Sequence, residues 1–270
     1  MRVAMSGGTG FIGSAVVARL RERGDDVRVL QRGAVETGDV NINLAGENIG
    51  KRWTAARKRR IVESRVVTTN KIVDARPRVL INASAVGYYG PRRDEILDES
   101  ASSGTGFLAD VTRQWETAAH RADDFARVVI FRFGVVLAAN GGALQQMMLP
   151  FRFGAGGPLG SGRQWMSWID RQDVVRAIEW AIDNPNVRGT YNMTSPEPVR
   201  NRDFAHALGR AMHRPSFMPA PAFALRLALG ETADEMLLTG QRVLPSRALR
   251  EGFTFRYPTL ESSLAANFAK

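Results

Sequence analysis

The stretch "MSGGTGFIGSAVVARL", residues 5–20, joins an apolar segment to an amphipathic segment through a glycine-rich turn. The preceding residues RVAM (2–5) have the pattern of a short buried strand, and residues 11–24 that of a helix ending at a glycine. DVRVLQR (26–32) alternates as a second strand. A strand, a glycine turn, a helix and a strand within about 30 residues are the context that the dinucleotide-binding motif requires.

Each glycine of this turn has a physical role in that motif. The early glycines adopt backbone angles closed to other residues, Gly10 lets the chain approach a pyrophosphate, and Gly13 lets the helix pack closely on the strand. The free N–H groups at the helix N-terminus favour phosphate. The alternative is a strand–helix turn without a ligand. We expect the cofactor to contact Gly7, Thr9, Gly10, Phe11, Ile12 and Gly13.

The end of the second predicted strand indicates which dinucleotide binds. An NAD site usually places an acid there to bind the ribose hydroxyls, whereas this chain has Gln31 followed by Arg32. No acid would repel a 2′-phosphate, and an arginine is available to pair with one. The sequence therefore predicts NADP(H), with a solvated loop arginine as the alternative for Arg32.

Composition excludes several classes of protein. The 270 residues are 44% apolar, as in a globular protein, and contain no cysteine, which excludes disulfides and thiolate metal sites. None of the three histidines is at metal-ligand spacing from another, and His206 and His213 are expected to be solvated or capping. We find no secretory signal pattern and no apolar run of the roughly 20 residues that a membrane helix needs. A cytoplasmic protein without a membrane partner is expected.

The formal net charge of +10 raises the question of an acidic partner. The one tight basic cluster, ARKRR at 56–60, lies in a segment with helical periodicity, which favours a solvated helix face over nucleic-acid binding. A basic protein also suits a small anionic ligand. We expect a small-molecule substrate, with negative charge as one option, and the sequence leaves a homodimer open.

Further segments accompany the glycine turn. They are NLAGENI (43–49), NASAVGYYG (82–90), FRFGVVLAANGGAL (131–144), GGPLGSGRQWMSWID (156–170) and GTYNMTSPEPVRNRDFAHAL (189–208). Together they resemble the extended short-chain dehydrogenase/reductase superfamily, and more narrowly its atypical YfcH-like branch, the nucleoside-diphosphate-sugar epimerase family proteins. Residues 237–264 are similar to the small terminal domain of that branch.

This resemblance implies an α/β fold with a doubly wound parallel Rossmann sheet and a small, mainly helical C-terminal domain. The expected NADP-binding domain covers 1–195, with a glycine-rich lid at about 150–165, and the substrate-side domain covers 196–270. By the resemblance, Leu44, Ala45 and Gly46 line the adenosine half of the cofactor. Ala83 and Ser84 lie near the nicotinamide, and Arg65 lies on a helix that borders the cofactor.

The catalytic pattern departs from that of the superfamily, which pairs a serine with Tyr-x-x-x-Lys. Ser84 matches the serine, but no tyrosine of this chain is followed four residues later by lysine, and the segment 106–119 has neither residue. We expect Tyr88 or Tyr89 to act as a substitute acid, beside Arg92 or Arg93 as the cation, and name Ser84 and Tyr88 as catalytic candidates. The alternative for both tyrosines is a packing role.

The resemblance fails at two further places. Asp170 stands where many relatives have a histidine. Because it precedes the apolar helix at 174–182, we expect it to cap that helix. The connection at 33–39 is too short for the helical crossover that parallel neighbours usually need, and 75–77 is similarly tight. Either residues are missing from the chain near 33–39 and 75–77, or the Rossmann fold is trimmed there.

These patterns predict an atypical NADP(H)-dependent oxidoreductase or epimerase that acts on an unidentified small molecule. The alternative is a non-catalytic NADP(H)-binding sensor or scaffold, which the missing Tyr-x-x-x-Lys favours. The Ser84 segment and the glycine-rich lid favour the enzyme.

Overall fold

The structure, a computed structural model, describes residues 1–269, in which strands and helices alternate. The strands are β1 (Arg2–Ser6), β2 (Asp26–Leu30), β3 (Val40–Asn43), β4 (Val79–Ala85), β5 (Ile96–Leu97), β6 (Arg127–Phe133), β7 (Val135–Ala138), β8 (Trp165–Met166), β9 (Trp168–Asp170), β10 (Gly189–Met193), β11 (Val199–Arg200) and β12 (Arg242–Val243). The helices are α1 (Gly13–Glu22), α2 (Ala55–Asp74), α3 (Phe107–His120), α4 (Gly142–Arg152), α5 (Arg171–Asp183), α6 (Asn201–Met212), α7 (Ala222–Leu229), α8 (Glu231–Met236), α9 (Ser246–Arg250) and α10 (Leu260–Phe268), and a 3₁₀ turn covers Val86–Tyr89.

The central sheet has six strands in the order β10-β6-β4-β3-β1-β2, and all neighbours run parallel. Alternate residues of its strands pack on opposite faces. Ile81 and Val129 belong to the core with α1 and α5, whereas Leu80 and Val128 belong to the core with α2 and α3. Both faces are covered, which explains the continuous apolar runs of the inner strands. This architecture confirms the predicted Rossmann fold.

The connection from β2 to β3 has no room for a helix. It returns past β1, where the Asp39 amide donates to the Arg2 carbonyl at 2.8 Å and the Arg2 amide donates to the Asp39 carboxylate at 2.7 Å. The backbone is unbroken through 33–39 and 75–77, and β2 is the edge of the sheet. Both explanations of the short connections, missing residues and a trimmed Rossmann fold, stay predictions.

One predicted strand is divided in two. The apolar stretch 126–137 has the pattern of a single buried strand, but Gly134 separates β6 from β7. Strand β7 lies outside the central sheet and pairs with β9. A Cβ at Gly134 would lie 2.7 Å from the Ser167 carbonyl oxygen, so the chain turns here by close backbone packing. The domain boundary between residues 195 and 196 stays a prediction. The last residue of the predicted C-terminal domain, Lys270, lies outside the described residues.

Other expectations about individual segments are confirmed. The basic cluster lies on α2, whose N-terminus is capped by Thr54. His206 contacts the Ser216 hydroxyl at 3.1 Å, and His213 is the left-handed C-cap residue of α6. Within residues 1–269, no helix has both the length and the apolar character needed to cross a membrane.

Asp170 caps α5, as predicted, and also ties it to α10. Its carboxylate accepts the Gln172 amide at 2.8 Å, while the Ser263 hydroxyl and the Asn267 amide group donate to its other oxygen at 2.7 and 2.9 Å. The residue is almost fully buried. This carboxylate therefore has a structural role at the place where many relatives have a histidine.

We expect Asp170→Ala to lower the free energy of unfolding by about 2–4 kcal/mol, because the cap is lost, the buried Ser263 hydroxyl loses its acceptor and the half-buried Asn267 loses one of its two. Chemical denaturation followed by circular dichroism measures this change. Asp203→Ala, an exposed acid in the first turn of α6, is the control and should change stability by less than about 0.5 kcal/mol. Equal midpoints for the two variants would contradict the structural role.

Candidate dinucleotide and catalytic site

The glycine turn brings three backbone segments into contact at the carboxyl edge of the sheet. Gly7 has a φ of +81°, and a Cβ there would lie 2.5 Å from the carbonyl carbon of Leu44. A Cβ at Gly13 would lie 2.1 Å from the Gly7 carbonyl oxygen. Only glycine fits at either position, because the start of α1 and the loop after β3 both pack directly on the turn.

At the start of α1 the amides of Ser14, Ala15 and Val16 donate to the carbonyls of Gly10 and Ile12. Within residues 1–269 the amides of Phe11, Ile12 and Gly13 have no such acceptor. No side chain caps the helix and its first turn has no acid, while Arg19 and Arg21 lie in its last turn. A Cβ at Gly10 would meet only the Gly7 carbonyl oxygen, at 3.2 Å. The turn therefore presents free donors and a positive helix end to open space, which suits a pyrophosphate.

Phe11 and Ile12 are half-buried at this turn, and Thr9 is exposed. The Phe11 ring packs on Gly141 and Gly142, where a Cβ would lie 2.6 and 2.5 Å from it. The guanidinium of Arg171 lies 5.0 Å from the Phe11 ring centroid. Sequence reasoning did not identify Arg171, because nothing in its local pattern indicates that the first residue of α5 reaches the glycine turn.

Arg32 follows β2 and is exposed. Within residues 1–269 no carboxylate pairs with it, and the nearby Glu36 pairs with Arg28 at 2.8 Å. Its charge is therefore available to a ligand at this edge of the sheet. This placement agrees with the role that the sequence predicts for Arg32.

The loop after β3 and the helix α2 meet as the resemblance implies. The Leu44 amide donates to the Ser6 carbonyl at 2.9 Å, which holds the loop beside the glycine turn. Arg65 packs on Gly46, where a Cβ would lie 3.0 Å from the guanidinium, and donates to the Glu47 carbonyl at 3.2 Å. Burial lowers the pKa of Arg65 to about 10. Leu44, Ala45, Gly46 and Arg65 thus form one side of the same edge.

A buried polar network starts at Ser84, which follows Ala83 near the end of β4. Ser84, Arg132 and Asn192 are register partners on the adjacent strands β4, β6 and β10. The Ser84 hydroxyl donates to the carboxylate of Glu116 on α3 at 2.6 Å. Arg132 donates to both oxygens of Glu116, at 2.8 and 2.7 Å. Although burial alone would lower the pKa of Arg132, the bonds to Glu116 raise it above its ordinary value.

The two candidate tyrosines differ in their surroundings. Tyr89 is fully buried, and its hydroxyl accepts from Arg132 at 2.9 Å and donates to Asn192 at 2.7 Å. Burial raises the pKa of Tyr89 to about 12, although the contacts with Arg132 and Asn192 act in the opposite direction. The Tyr88 ring centroid lies 3.4 Å from the guanidinium carbon of Arg132. Tyr88 is half-buried. Within residues 1–269 its hydroxyl has no hydrogen-bond partner and is not fully enclosed by protein atoms. Tyr88 is thus the tyrosine whose hydroxyl is available to a ligand.

The cation beside Tyr88 corrects one sequence expectation. Arg92, one of the two expected cations, donates to the Ser102 carbonyl at 3.0 Å and to Glu95 at 3.3 Å, and so holds its own loop. Arg93, the other, is exposed and has a left-handed backbone conformation. The cation is Arg132, paired with Glu116. Both have a signal in the sequence: a charge inside an apolar strand pattern or on an apolar helix face rarely occurs without a partner.

Comparison with known proteins identifies the family. The profile of the NAD dependent epimerase/dehydratase family matches residues 34–194, and the profile of a domain of unknown function (DUF1731) matches residues 220–266. An epimerase family protein of Mycobacterium tuberculosis is 44% identical, over 97% of this chain and 96% of its own length. The Arabidopsis thaliana protein named Epimerase family protein SDR39U1 homolog, chloroplastic, is 41% identical over 98% of this chain and 86% of its own length.

Solved structures agree with these matches. The human epimerase family protein SDR39U1 (isoform 2), crystallised with NADPH, superimposes with a TM-score of 0.95 at 34% identity, over 99% of both chains. UDP-glucose 4-epimerase of Thermus thermophilus shares the fold, with a TM-score of 0.78 at 17% identity over 99% of both chains. The alignment to the mycobacterial relative extends over 288 positions, more than the 270 residues of this chain, so that relative has residues which this chain lacks.

The sheet order and the glycine turn define a Rossmann protein of the extended short-chain dehydrogenase/reductase type. The chain belongs to the NAD dependent epimerase/dehydratase family, in its atypical branch of epimerase family proteins similar to SDR39U1. This membership confirms the resemblance recognised in the sequence.

Two glycine variants separate the folding role of the turn from its binding role. We expect Gly13→Ala to cost about 2–3 kcal/mol of stability, because its Cβ would overlap the Gly7 carbonyl and displace α1. Gly10→Ala should cost less than about 1 kcal/mol, since its Cβ enters mostly open space, yet it should lower dinucleotide affinity at least tenfold. Thermal unfolding and a fluorescence titration with NADPH test the pair. Equal melting temperatures, or unchanged affinity of Gly10→Ala, would contradict this division of roles.

Proposed function

We propose that the protein binds NADP(H) and uses it in an oxidoreductase or epimerase reaction on a small molecule. One observation carries the proposal. The glycine turn with its free helix end lies at the same carboxyl edge of the sheet as Ser84, Glu116, Arg132 and the open hydroxyl of Tyr88. The NADPH bound to the human relative supports the choice of cofactor.

The residues present fit such a cofactor. The turn at Gly7–Gly13 would hold the pyrophosphate, because a side chain at Gly7 or Gly13 would collide with backbone and none obstructs Gly10. Arg32 would pair with the 2′-phosphate, the loop Leu44–Gly46 would border the adenosine, and Ala83 would lie near the nicotinamide. When bound, NADP(H) supplies or accepts a hydride.

The side chains of this chain would hold and move a proton at the reacting oxygen. The Tyr88 hydroxyl can donate a proton to that oxygen or accept one from it, and the Arg132 guanidinium on its ring favours the negative charge that develops when the proton leaves. The Ser84 proton is engaged by Glu116, so its oxygen acts toward a ligand as a hydrogen-bond acceptor. Glu116 holds the Ser84 hydroxyl and the Arg132 guanidinium in place.

A non-catalytic NADP(H)-binding sensor or scaffold is the second candidate. The observation that favours it is the closed state of the network, in which the Ser84 and Tyr89 hydroxyls are engaged by protein groups. Under either proposal the cytoplasmic location stays a prediction, as does the homodimer. The name of the Arabidopsis relative places that protein in the chloroplast.

The choice of NADP(H) over NAD(H) is testable at Arg32. We expect Arg32→Gln to weaken NADPH binding by about 10- to 100-fold, the effect of losing a charge-assisted contact to phosphate, and to leave NADH binding within twofold. Arg28→Gln removes the same charge from β2, four residues before Arg32, and is the matched control. Fluorescence titrations measure all four affinities. Equal effects of the two variants on NADPH would refute the assignment of Arg32.

The enzyme and the sensor differ at Tyr88. In a screen of carbonyl compounds monitored by NADPH oxidation, we expect Tyr88→Phe to lower kcat about 10²- to 10⁴-fold with NADPH affinity unchanged, because it loses only the proton donor. Tyr89→Phe is the companion variant and should lower stability more than chemistry, since Arg132 and Asn192 lose a buried partner. If NADPH binds tightly but no compound is reduced, the sensor proposal replaces the enzyme.

A further inference from the structure

Two guanidinium groups lie against the ring of Trp165, at the end of the glycine-rich segment. The guanidinium carbons of Arg200 and Arg242 are 3.9 and 4.6 Å from its centroid. The Trp165 indole N–H donates to Asp94 at 2.8 Å, and Arg200 forms an ion pair with the same Asp94 oxygen. The charge of Arg200 and the indole N–H are therefore both satisfied within the protein.

Arg242 is not satisfied in this way. Within residues 1–269 its guanidinium has neither an ion-pair partner nor a hydrogen-bond acceptor, and its Nε is the one enclosed side-chain nitrogen or oxygen atom without a partner. A desolvated donor of a charged group that lacks an acceptor is costly and rare in proteins. Because arginine presents its donors in a planar fork, a carboxylate or phosphate would satisfy it with two parallel bonds.

The position of Arg242 relates it to the candidate catalytic residues. The next residue, Val243, packs in one cluster with Val86 and Tyr89, against which Tyr88 also lies. The Val243 carbonyl accepts the Thr194 hydroxyl at 3.1 Å, directly after the carboxyl end of β10. Arg242 thus lies on a strand that borders the cluster containing Tyr88 and Tyr89, and it is the sequence neighbour of a residue in that cluster.

Close packing fixes Arg242 against Trp165. A Cβ at Gly240 would lie 1.8 Å from the Trp165 carbonyl oxygen, and the Ser167 hydroxyl donates to the Gln241 carbonyl at 2.8 Å and accepts the Val243 amide at 2.9 Å. The backbone on both sides of Arg242 is therefore bound to the β8–β9 segment. Its guanidinium is held by the indole face rather than by an acid.

We propose that Arg242, held against Trp165, binds an anionic group of the substrate, a carboxylate or a phosphate. The inference rests on the proposed function, because it assigns the substrate class of that reaction. The anion lies at the Arg242 end of the site and the reacting oxygen at the Tyr88 end. Neutral compounds of the same shape leave Arg242 without an acceptor and bind more weakly.

The experiment follows the N–H signals of the Arg242 Nε and the Trp165 indole in ¹⁵N-labelled protein by NMR. Saturating NADPH fills the glycine turn, and inorganic phosphate or acetate is then added at constant ionic strength. We expect both signals to shift and saturate with at least one of the two anions, and the anion that binds more tightly identifies the group. Arg242→Lys assigns the Arg242 signal by its loss and should weaken binding at least tenfold, read at Trp165.

Arg163→Lys is the matched control, because Arg163 lies two residues before Trp165, is exposed, and should change anion affinity less than twofold. Absence of a saturable shift with both anions, or equal affinity in wild type and Arg242→Lys, overturns the proposal. A separate NADPH titration distinguishes the two inferences. If NADPH does not bind but the anion still depends on Arg242, the proposed function fails and the anion subsite stands.

Discussion

The buried ion pair between Glu116 and Arg132 organises the part of the sheet edge that carries the candidate catalytic residues. It joins α3 to the middle of the sheet, and its two partners contact Ser84, Tyr88 and Tyr89. Such a pair contributes little net stability, because desolvation offsets the attraction, but removal of one partner is strongly destabilising. Its value is therefore positional: the pair determines which hydroxyl groups are engaged and which one, that of Tyr88, stays open.

The cofactor side follows a different physical rule. Around Gly7 and Gly13 the structure depends on the absence of side chains, which lets three backbone segments meet and leaves the start of α1 uncapped. One half of the edge is open and rich in free donors, whereas the other half is closed by hydrogen bonds. This contrast suits a protein in which the cofactor supplies the chemistry and the side chains hold the substrate.

The fold could be predicted from local pattern because glycines, strand alternation and helix periodicity act over short distances along the chain. The cofactor turn, the loop at Leu44–Gly46 and Arg65 accordingly lie together as expected. The prediction of the cation beside Tyr88 was wrong, because proximity in sequence suggested Arg92 or Arg93. The actual partner, Arg132, is 44 positions from Tyr88 along the chain and reaches it only through the pairing of β4 with β6.

The sequence by itself determined the Rossmann topology, the glycine turn and the presence of an arginine, Arg32, after the second strand, since each depends on residue types within short segments of the chain. Only the tertiary structure decided that Glu116 pairs with Arg132 and accepts the Ser84 hydroxyl. It also decided that the Tyr89 hydroxyl is enclosed while that of Tyr88 is accessible, and that Arg242 has no acceptor within residues 1–269. These properties depend on burial and on contacts between distant elements, because the energetic effect of a buried charge depends on the partner that the fold places beside it.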